Sequence, residues 1–318
     1  MLDDLLDVPL LVVHARGGPA PAGGLLLRVP CPTLVLDPAG AAPDFDLVLR
    51  EGEEDTALLA PDASARAAAE VLAERAAAAL AASRVLVSVL RTSGSLPVPA
   101  ALAVESTAYS LLLTGPAFRA WLASRRLPAA DPSTDQAVRT HRRADVLEVA
   151  LHRPAVHNAY DVRVRDGLVE ALSLAVCDDT VGRVVLRGDG PSFCSGGDLR
   201  GFGVTGDQVW AHAIRTTRSP AALLHALADR LEVRVHGACI GAGLELAAFA
   251  GRVVADPATT FLLPELPMGT IPGAGGTVSL PRRIGRQRTA LLALGGFRLD
   301  ARQALRWGLA DALEPVSG

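Results

Sequence analysis

Residues 236 to 246 read HGACIGAGLEL, and the way this stretch folds decides the architecture of the second half of the chain. It ends a longer run, LEVRVHGACIG, that reads as a strand running into glycine, and it passes through Gly-Ala-Gly into LELAAFAG, an apolar run of short-helix length. A strand that turns through glycines into a helix leaves the first N–H groups of that helix without partners, so Ala242 and its neighbours present donors at a positive helix end. Glu245 stands in the first turn. The helix dipole alone favours an acidic residue there by about 0.3–1 kcal/mol. The rest of LELAAFAG is apolar, however, so the carboxylate is expected to be buried, and a buried carboxylate needs a partner or a purpose. Gly-Ala-Gly also suggests a dinucleotide loop, but the third glycine of that fingerprint is absent.

Two more Gly-centred stretches end strands nearby: PSFCSGGDL at 191 to 199 and PELPMGTIPGAGG at 264 to 276. The first places small residues where a backbone approaches something closely, with Asp198 available to cap a following helix. In the second, Pro264 and Pro267 fix φ twice and remove two donors, which puts Glu265 on a stiff bend outside any helix interior or central strand. Two sources of N–H groups that converge on one oxygen would hold the charge a thioester carbonyl gathers when its α carbon becomes enolate-like. Losing one such donor costs about 2.7–4 kcal/mol.

Working outward, DVLEVALHRP alternates as a strand, DVRVRDGLVEALSLAV has helical spacing, and GRVVLRGDG reads as a buried strand, so a parallel strand–helix–strand unit is expected. RVVADPATTFLL supplies two short strands, and PRRIGRQRTALLALGG and DARQALRWGLADALEP two helices. In the first half, PLLVVHA, CPTLVLD and FDLVLRE read as strands. PDASARAAAEVLAERAAAALAAS reads as an Ala-rich helix capped by Asp62, and RVLVSVLR as a further strand. The order FDLVLRE, helix, RVLVSVLR echoes the later unit and suggests a degenerate repeat. Residues 128 to 144 are polar and contain proline, which reads as a linker.

At 318 residues and 50% hydrophobic the chain can bury a large core. No window reaches 18 uncharged apolar residues and the N-terminus lacks a basic segment, so neither a membrane span nor a signal peptide is expected, and the cytoplasm is the expected compartment. Net charge is −3, the 31 basic residues are all Arg, and there is no Lys. That excludes a P-loop lysine and Schiff-base chemistry, offers no basic stripe for nucleic acid, and leaves arginine and backbone N–H groups to meet any phosphate. Cys31, Cys177, Cys194 and Cys239 show no paired spacing, which argues against zinc or a disulfide framework.

Taken together, HRPAVHNA, FCSGGDL, VHGACIGAGLELA and PELPMGTIPGAGGT, followed by GRQRTALLALGGFRLDARQALRWGLADALEP, resemble the crotonase, or enoyl-CoA hydratase/isomerase, superfamily over about residues 145 to 318. The resemblance implies an α/β fold with a crotonase-like ββα spiral core at 145–318. Ahead of it stand a smaller N-terminal α/β domain at 1–130 and a linker at 131–144. It implies Glu245 and Glu265 as the acid/base pair, with the N–H groups of Ser195 and Ala242 as oxyanion donors. Arg153, Ala155, His157, Gly196, Asp198, Arg200, Gly243 and Gly273 follow as substrate or coenzyme A contacts. It further implies syn hydration of a trans-2-enoyl-CoA or the reverse, with isomerisation, thioester hydrolysis or a scaffold role as alternatives. No metal and no cofactor beyond the substrate's own coenzyme A are implied, and the assembly would be a trimer or hexamer.

The sequence departs from the family at several points. Ser195 and Ala242 stand where Ala and Gly are usual, though both donate through the backbone. Leu262 and Leu263 before Pro264 would raise the proton affinity of Glu265 by desolvation or displace water. The chain ends where relatives continue into helices that close the acyl pocket. AVESTAYSLLLTGPAFRAWLASRRLP at 103 to 128 has the apolar spacing and basic end to replace them, with Arg125 and Arg126 then available to phosphate. His157 and His236 are expected as loop or packing residues, Asn158 as a helix cap, and Cys194 has no histidine placed to activate it.

Overall fold

The computed structural model describes residues 7–15, 18, 29–127, 131, 133, 135–204 and 206–316. Part of the expected linker, at 128–130, 132 and 134, lies outside them. The first half opens with three short strands, β1 (Leu11–His14), β2 (Thr33–Leu36) and β3 (Leu47–Leu49), paired in parallel in that order. Five helices follow: α1 (Glu54–Ala57), α2 (Ala65–Ala78), α3 (Leu80–Ser93), α4 (Val98–Leu113) and α5 (Pro116–Ser124).

The expected strand RVLVSVLR is instead part of α3. Three valines at alternate positions read as a strand, but the buried residues are Ala82, Ser83, Leu86, Val87, Val89, Leu90 and Ser93, whose three- and four-residue spacing is a helical stripe. The apparent repeat ends there. Ser64, not Asp62, caps α2: its side chain accepts from Ala67 N, while Asp62 Oδ1 accepts from Ser64 N at 3.1 Å. Among the described residues no single helix is long and apolar enough to cross a membrane.

The second half contains β4 (Val138–Arg143), β5 (Val146–Leu151), α6 (Val162–Cys177), β6 (Arg183–Gly188), α7 (Gln208–Thr217), α8 (Pro220–Ala226), β7 (Leu231–Val235), β8 (Ala238–Ile240), α9 (Ala242–Ala247), β9 (Arg252–Ala255), β10 (Thr260–Leu262), α10 (Gly276–Ile284), α11 (Arg286–Gly295), β11 (Leu299–Asp300), α12 (Ala301–Trp307) and β12 (Ala312–Leu313). The six-stranded sheet runs β12-β9-β7-β6-β5-β4, parallel throughout except for the antiparallel β4–β5 pair. Strand β4 occupies VRTHRR, inside the expected linker. It is an edge strand with five of its six residues exposed, so apolar alternation could not mark it. A small second sheet, β11-β10-β8, carries the functional loops.

The expected β5–α6–β6 unit is present. Its helix is capped by Asp161, whose Oδ1 accepts from Arg163 N and Val164 N, both at 3.0 Å. Asn158, expected as the cap, is fully buried in a left-handed conformation. Its Oδ1 accepts from Arg153 N at 2.7 Å, and its Nδ2 donates to the carbonyls of Asp189 and Ser192, so it ties two loops together.

One apolar core runs through both halves, from Leu34, Leu72 and Leu86 to Leu244, Leu280 and Leu292. Polar contacts cross between them as well. Ser93 Oγ donates to Thr277 O at 2.9 Å, Gln287 Nε2 to Ala42 O at 2.8 Å and Trp307 Nε1 to Asp55 Oδ1 at 2.8 Å. Helix α4 packs on α7 and α10, and α5 on the turn at Leu266–Met268. The rings of Phe118 and Trp121 stack on each other with centroids 5.7 Å apart and meet Phe202 from the second half tilted and edge-on, at 6.4 and 5.9 Å. Gly273 lies under the Tyr109 ring, where a Cβ would come within 2.6 Å of Cδ2.

Candidate active site

Helices α4 and α7, the loop 197–204 and the two Glu-bearing segments enclose a cavity of about 770 Å³. Glu245 reaches it from α9 and Glu265 from the bend after β10, so the structure brings both expected carboxylates to one place. Leu262 and Leu263 do not line the cavity, and Leu263 is in the core. Glu265 approaches closely only because residue 241 is glycine, with φ at +49°; a Cβ there would stand 2.7 Å from Glu265 Oε1.

The local hydrogen bonding distinguishes the two groups. Glu245 Oε2 accepts from Ala274 N at 2.7 Å and Gly276 N at 2.9 Å, and Oε1 has no partner among the described residues. Glu265 Oε2 is buried and has no hydrogen-bond partner among the described residues. A third carboxylate joins them that the sequence reading missed. Glu105 of α4 accepts from Gly275 N at 2.7 Å through Oε1, and from Thr277 N at 2.9 Å and Thr277 Oγ1 at 2.7 Å through Oε2. Four consecutive N–H groups at the start of α10, donors that no helix satisfies internally, thus alternate between Glu245 and Glu105.

Burial dominates the proton affinities of all three. It raises Glu265 to about 8, opposed by its own backbone hydrogen bond and assisted by the charge of Glu105. It raises Glu245 well above the usual carboxylate range, with the charges of Glu265 and Glu105 adding and the amides of Ala274 and Gly276 opposing. Glu105 rises to about 7, burial outweighing the Thr277 and Gly275 donors and the Arg215 charge.

Not every expected contact is found. Ser195 is exposed and its N–H donates to His157 O at 2.9 Å, so it is not available to a carbonyl in the cavity. Two residues on, Gly197 lines the cavity and its N–H has no partner among the described residues; the same holds for Ala242. The Tyr160–Gly197 bridge accounts for the shift, since it engages Gly196 O and Asp198 N and turns the Gly197 N–H away from Tyr160. Arg153 reaches the wall, but it is buried and ion-paired with Asp131, Asp161 and Asp198, so it braces the wall and is closed to phosphate. Asp198 accepts from Arg200 N in a tight turn and caps no helix.

Ala155 and His157 are exposed outside the cavity, with His157 Nδ1 hydrogen-bonded to Ser192 Oγ at 3.0 Å. Gly196 and Gly243 lie behind it. Gly243 permits α9 to pack on Cys194, which a Cβ would approach to 2.6 Å. Arg200 and Gly273 do line the cavity. Arg125 holds Phe202 O at 3.0 Å and does not line the cavity, and the Cys194 thiol is pushed up to about 11 by burial. Glu105 had one signal in sequence: it is the sole charge in the apolar helix ALAVESTAYSLLL, the same signal that marked Glu245.

Residues 141–317 match the family model described as enoyl-CoA hydratase/isomerase. A 2,3-dehydroadipyl-CoA hydratase of Escherichia coli (strain K12) is 34% identical over 175 residues, covering 55% of this chain and 68% of that protein. The enoyl-CoA isomerase/hydratase fer4 of Mycosarcoma maydis is 33% identical over 181 residues, 54% of this chain and 66% of that protein. The solved enoyl-CoA hydratase of Bacillus anthracis shares 27% identity and a TM-score of 0.53 over 57% of this chain and 71% of its own. Glu105 lies outside the family match, whereas Glu245, Glu265, Gly197 and Ala242 lie inside it. With a matched segment that spans more than half of its length, the chain belongs to the enoyl-CoA hydratase/isomerase, or crotonase, family.

Proposed function

We propose that the protein hydrates a trans-2-enoyl-CoA to a 3-hydroxyacyl-CoA, or runs the reverse dehydration. One observation carries the reading: Glu245 and Glu265 meet in a single cavity, each with a carboxylate oxygen that has no partner among the described residues. The N–H groups of Gly197 and Ala242 hold the thioester carbonyl and stabilise its negative charge as the β carbon is attacked. Glu245, anchored through Oε2, takes a proton from water through Oε1 while the water oxygen bonds to the β carbon. Glu265, raised to about 8, holds a proton near neutrality and delivers it to the α carbon. Water is added across the double bond, and the proton gained by Glu245 returns Glu265 to its starting state through solvent or substrate exchange. Arg200 on the cavity wall serves coenzyme A phosphate. A trimer or hexamer belongs to the same reading and is measured by light scattering.

The test is the loss of enoyl-thioester absorbance with a panel of 2-enoyl-CoAs. Glu245→Gln and Glu265→Gln are each expected to lose about two orders of magnitude or more in kcat, the scale of a general acid or base. Isomerisation of 3-enoyl-CoA with no hydration, abolished by Glu265→Gln alone, would replace this reading with a one-carboxylate isomerase.

A further inference from the structure

The cavity is rich in arginine, and most of that charge is already matched. Arg153 is paired with Asp131, Asp161 and Asp198, Arg163 with Asp131 and Asp161, and Arg165 and Arg218 with Asp166. Arg215 of α7 is different. It is partly buried and lines the cavity, and its contacts are neutral: Nε donates to Ser106 Oγ at 3.0 Å, Nη2 to Ser110 Oγ, and the guanidinium lies 5.2 Å from the centre of the Tyr109 ring. Among the described residues no carboxylate forms an ion pair with it, and Nη1 has no partner. The acidic group that acts on it through space is Glu105, whose two oxygens are both engaged by Gly275 and Thr277.

A guanidinium taken partly out of water without a counter-ion is costly, and burial already works against its charge. The serines and the ring do not neutralise it, but they hold its fork in one orientation; Ser106 is held in turn by His212 Nδ1 at 2.9 Å. The place of this fork relative to the chemistry follows from a chain of contacts. Tyr109 covers Gly273, which precedes Ala274, the donor to Glu245. Arg215 therefore stands beyond the carboxylate pair on the α4–α7 side, whereas Gly197 and Ala242 mark the thioester.

We propose that Arg215 is the receptor for an anionic acyl terminus, so that the preferred substrates are enoyl-CoAs whose chain ends in a carboxylate. The proposal rests on the enoyl-CoA reading above. An aligned guanidinium with no direct ion-pair partner among the described residues, in an acyl pocket where Tyr109, Leu113 and Ile214 stand beside it, recognises a carboxylate by charge-assisted hydrogen bonds and disfavours a methyl end, which offers the fork no acceptor. Ser106, Ser110 and Arg215 join α4 to α7, so the same subsite needs both halves of the chain.

The test uses binding, which does not depend on turnover. Unreactive thioether analogues of saturated acyl-CoA, matched in length at four to eight carbons and ending in a carboxylate or a methyl, are titrated calorimetrically into wild type, Arg215→Met and Arg215→Lys, with coenzyme A alone as control. Wild type is expected to bind the carboxylate series at least about tenfold more tightly, the scale of one charge-assisted contact. Arg215→Met should erase that preference and leave coenzyme A unaffected, and Arg215→Lys should restore part of it. Equal or tighter binding of the methyl series by wild type overturns the proposal, and this comparison decides the matter even if Arg215→Met does not fold. Weaker binding of coenzyme A itself by Arg215→Met overturns it in favour of a phosphate contact, and equal weakening of both series overturns it in favour of a strut between helices. A failed hydration assay with an intact carboxylate preference would remove the reaction and leave the subsite standing.

Discussion

Glu105 and Glu245 meet the loop ahead of α10 from opposite sides, and their alternating acceptance of four amides fixes where Glu245 can present its remaining oxygen. Gln at 105 keeps one acceptor and turns an NH2 group toward amides that need an acceptor. It also removes a negative charge that raises both Glu245 and Glu265. The activity needs Glu245 ionised and a proton on Glu265, so kcat/KM depends on both groups, and its alkaline limb is expected to fall as pH rises through about 8. In Glu105→Gln that fall should come at lower pH, with kcat reduced and KM little changed. A pH–rate profile that superimposes on wild type would show Glu105 to be a helix cap with no hold on the chemistry. At this scale the sequence is informative where a carboxylate stands among glycines and prolines, as Glu245 and Glu265 do. It misleads where a register of two residues decides which N–H is free: Ser195 and Gly197 both look like small residues on one loop, and only the bridge to Tyr160 separates them.

Among the elements, α3 shows how a local pattern is overruled. Val85, Val87 and Val89 alternate as in a strand, yet the core takes Leu86, Val87, Val89 and Leu90 from both faces of that pattern, Val85 is only partly buried and Ser88 is exposed. β-branched residues lower helix propensity by only a few tenths of a kcal/mol each, less than what burying one leucine contributes, about 1.5–3 kcal/mol. Leu86→Ala is accordingly expected to destabilise the fold by about 2–5 kcal/mol, and Ser88→Ala to stay within about 0.5 kcal/mol, by denaturant unfolding. Equal effects at the two sites would contradict the helix. The segment at 103 to 128 was expected as a replacement cover for the acyl pocket, and α4 does bring Tyr109 and Leu113 to the cavity wall. The particular contacts with Gly269, Gly273 and Phe202 were not legible, because nothing local encodes which distant loop a helix will touch.

Across the whole molecule, the carboxylates that serve the cavity oppose the fold. Glu105 and Glu265 keep protons in the folded state up to about 7 and about 8, whereas unfolded they release them near 4.5. The folded state binds more protons over that window, so stability is fullest below it and falls as pH rises from about 4.5 to about 8. Thermal melts should show that slope. Glu265→Gln should flatten it and melt higher than wild type at pH 8; a variant no more stable than wild type there would mean that Glu265 ionises without cost. The α/β class and the parallel β5–α6–β6 unit were legible because the alternation in β5, the apolar centre of β6 and the helical spacing between them follow one another in the chain. The single core spanning both halves was not, since the polar stretch between them looks like a boundary whichever way the halves pack.

The alternation at the start of α10 has a consequence for how the protein breathes. Hydrogen exchange at Gly275 and Thr277 is gated by release of α4, and at Ala274 and Gly276 by movement of α9, so four adjacent backbone protons keep two separate clocks. If the first half lifts away without the rest unfolding, the odd-numbered pair will exchange first while the even-numbered pair stays protected, and the order in which these four signals fade will read out which side of the molecule opens.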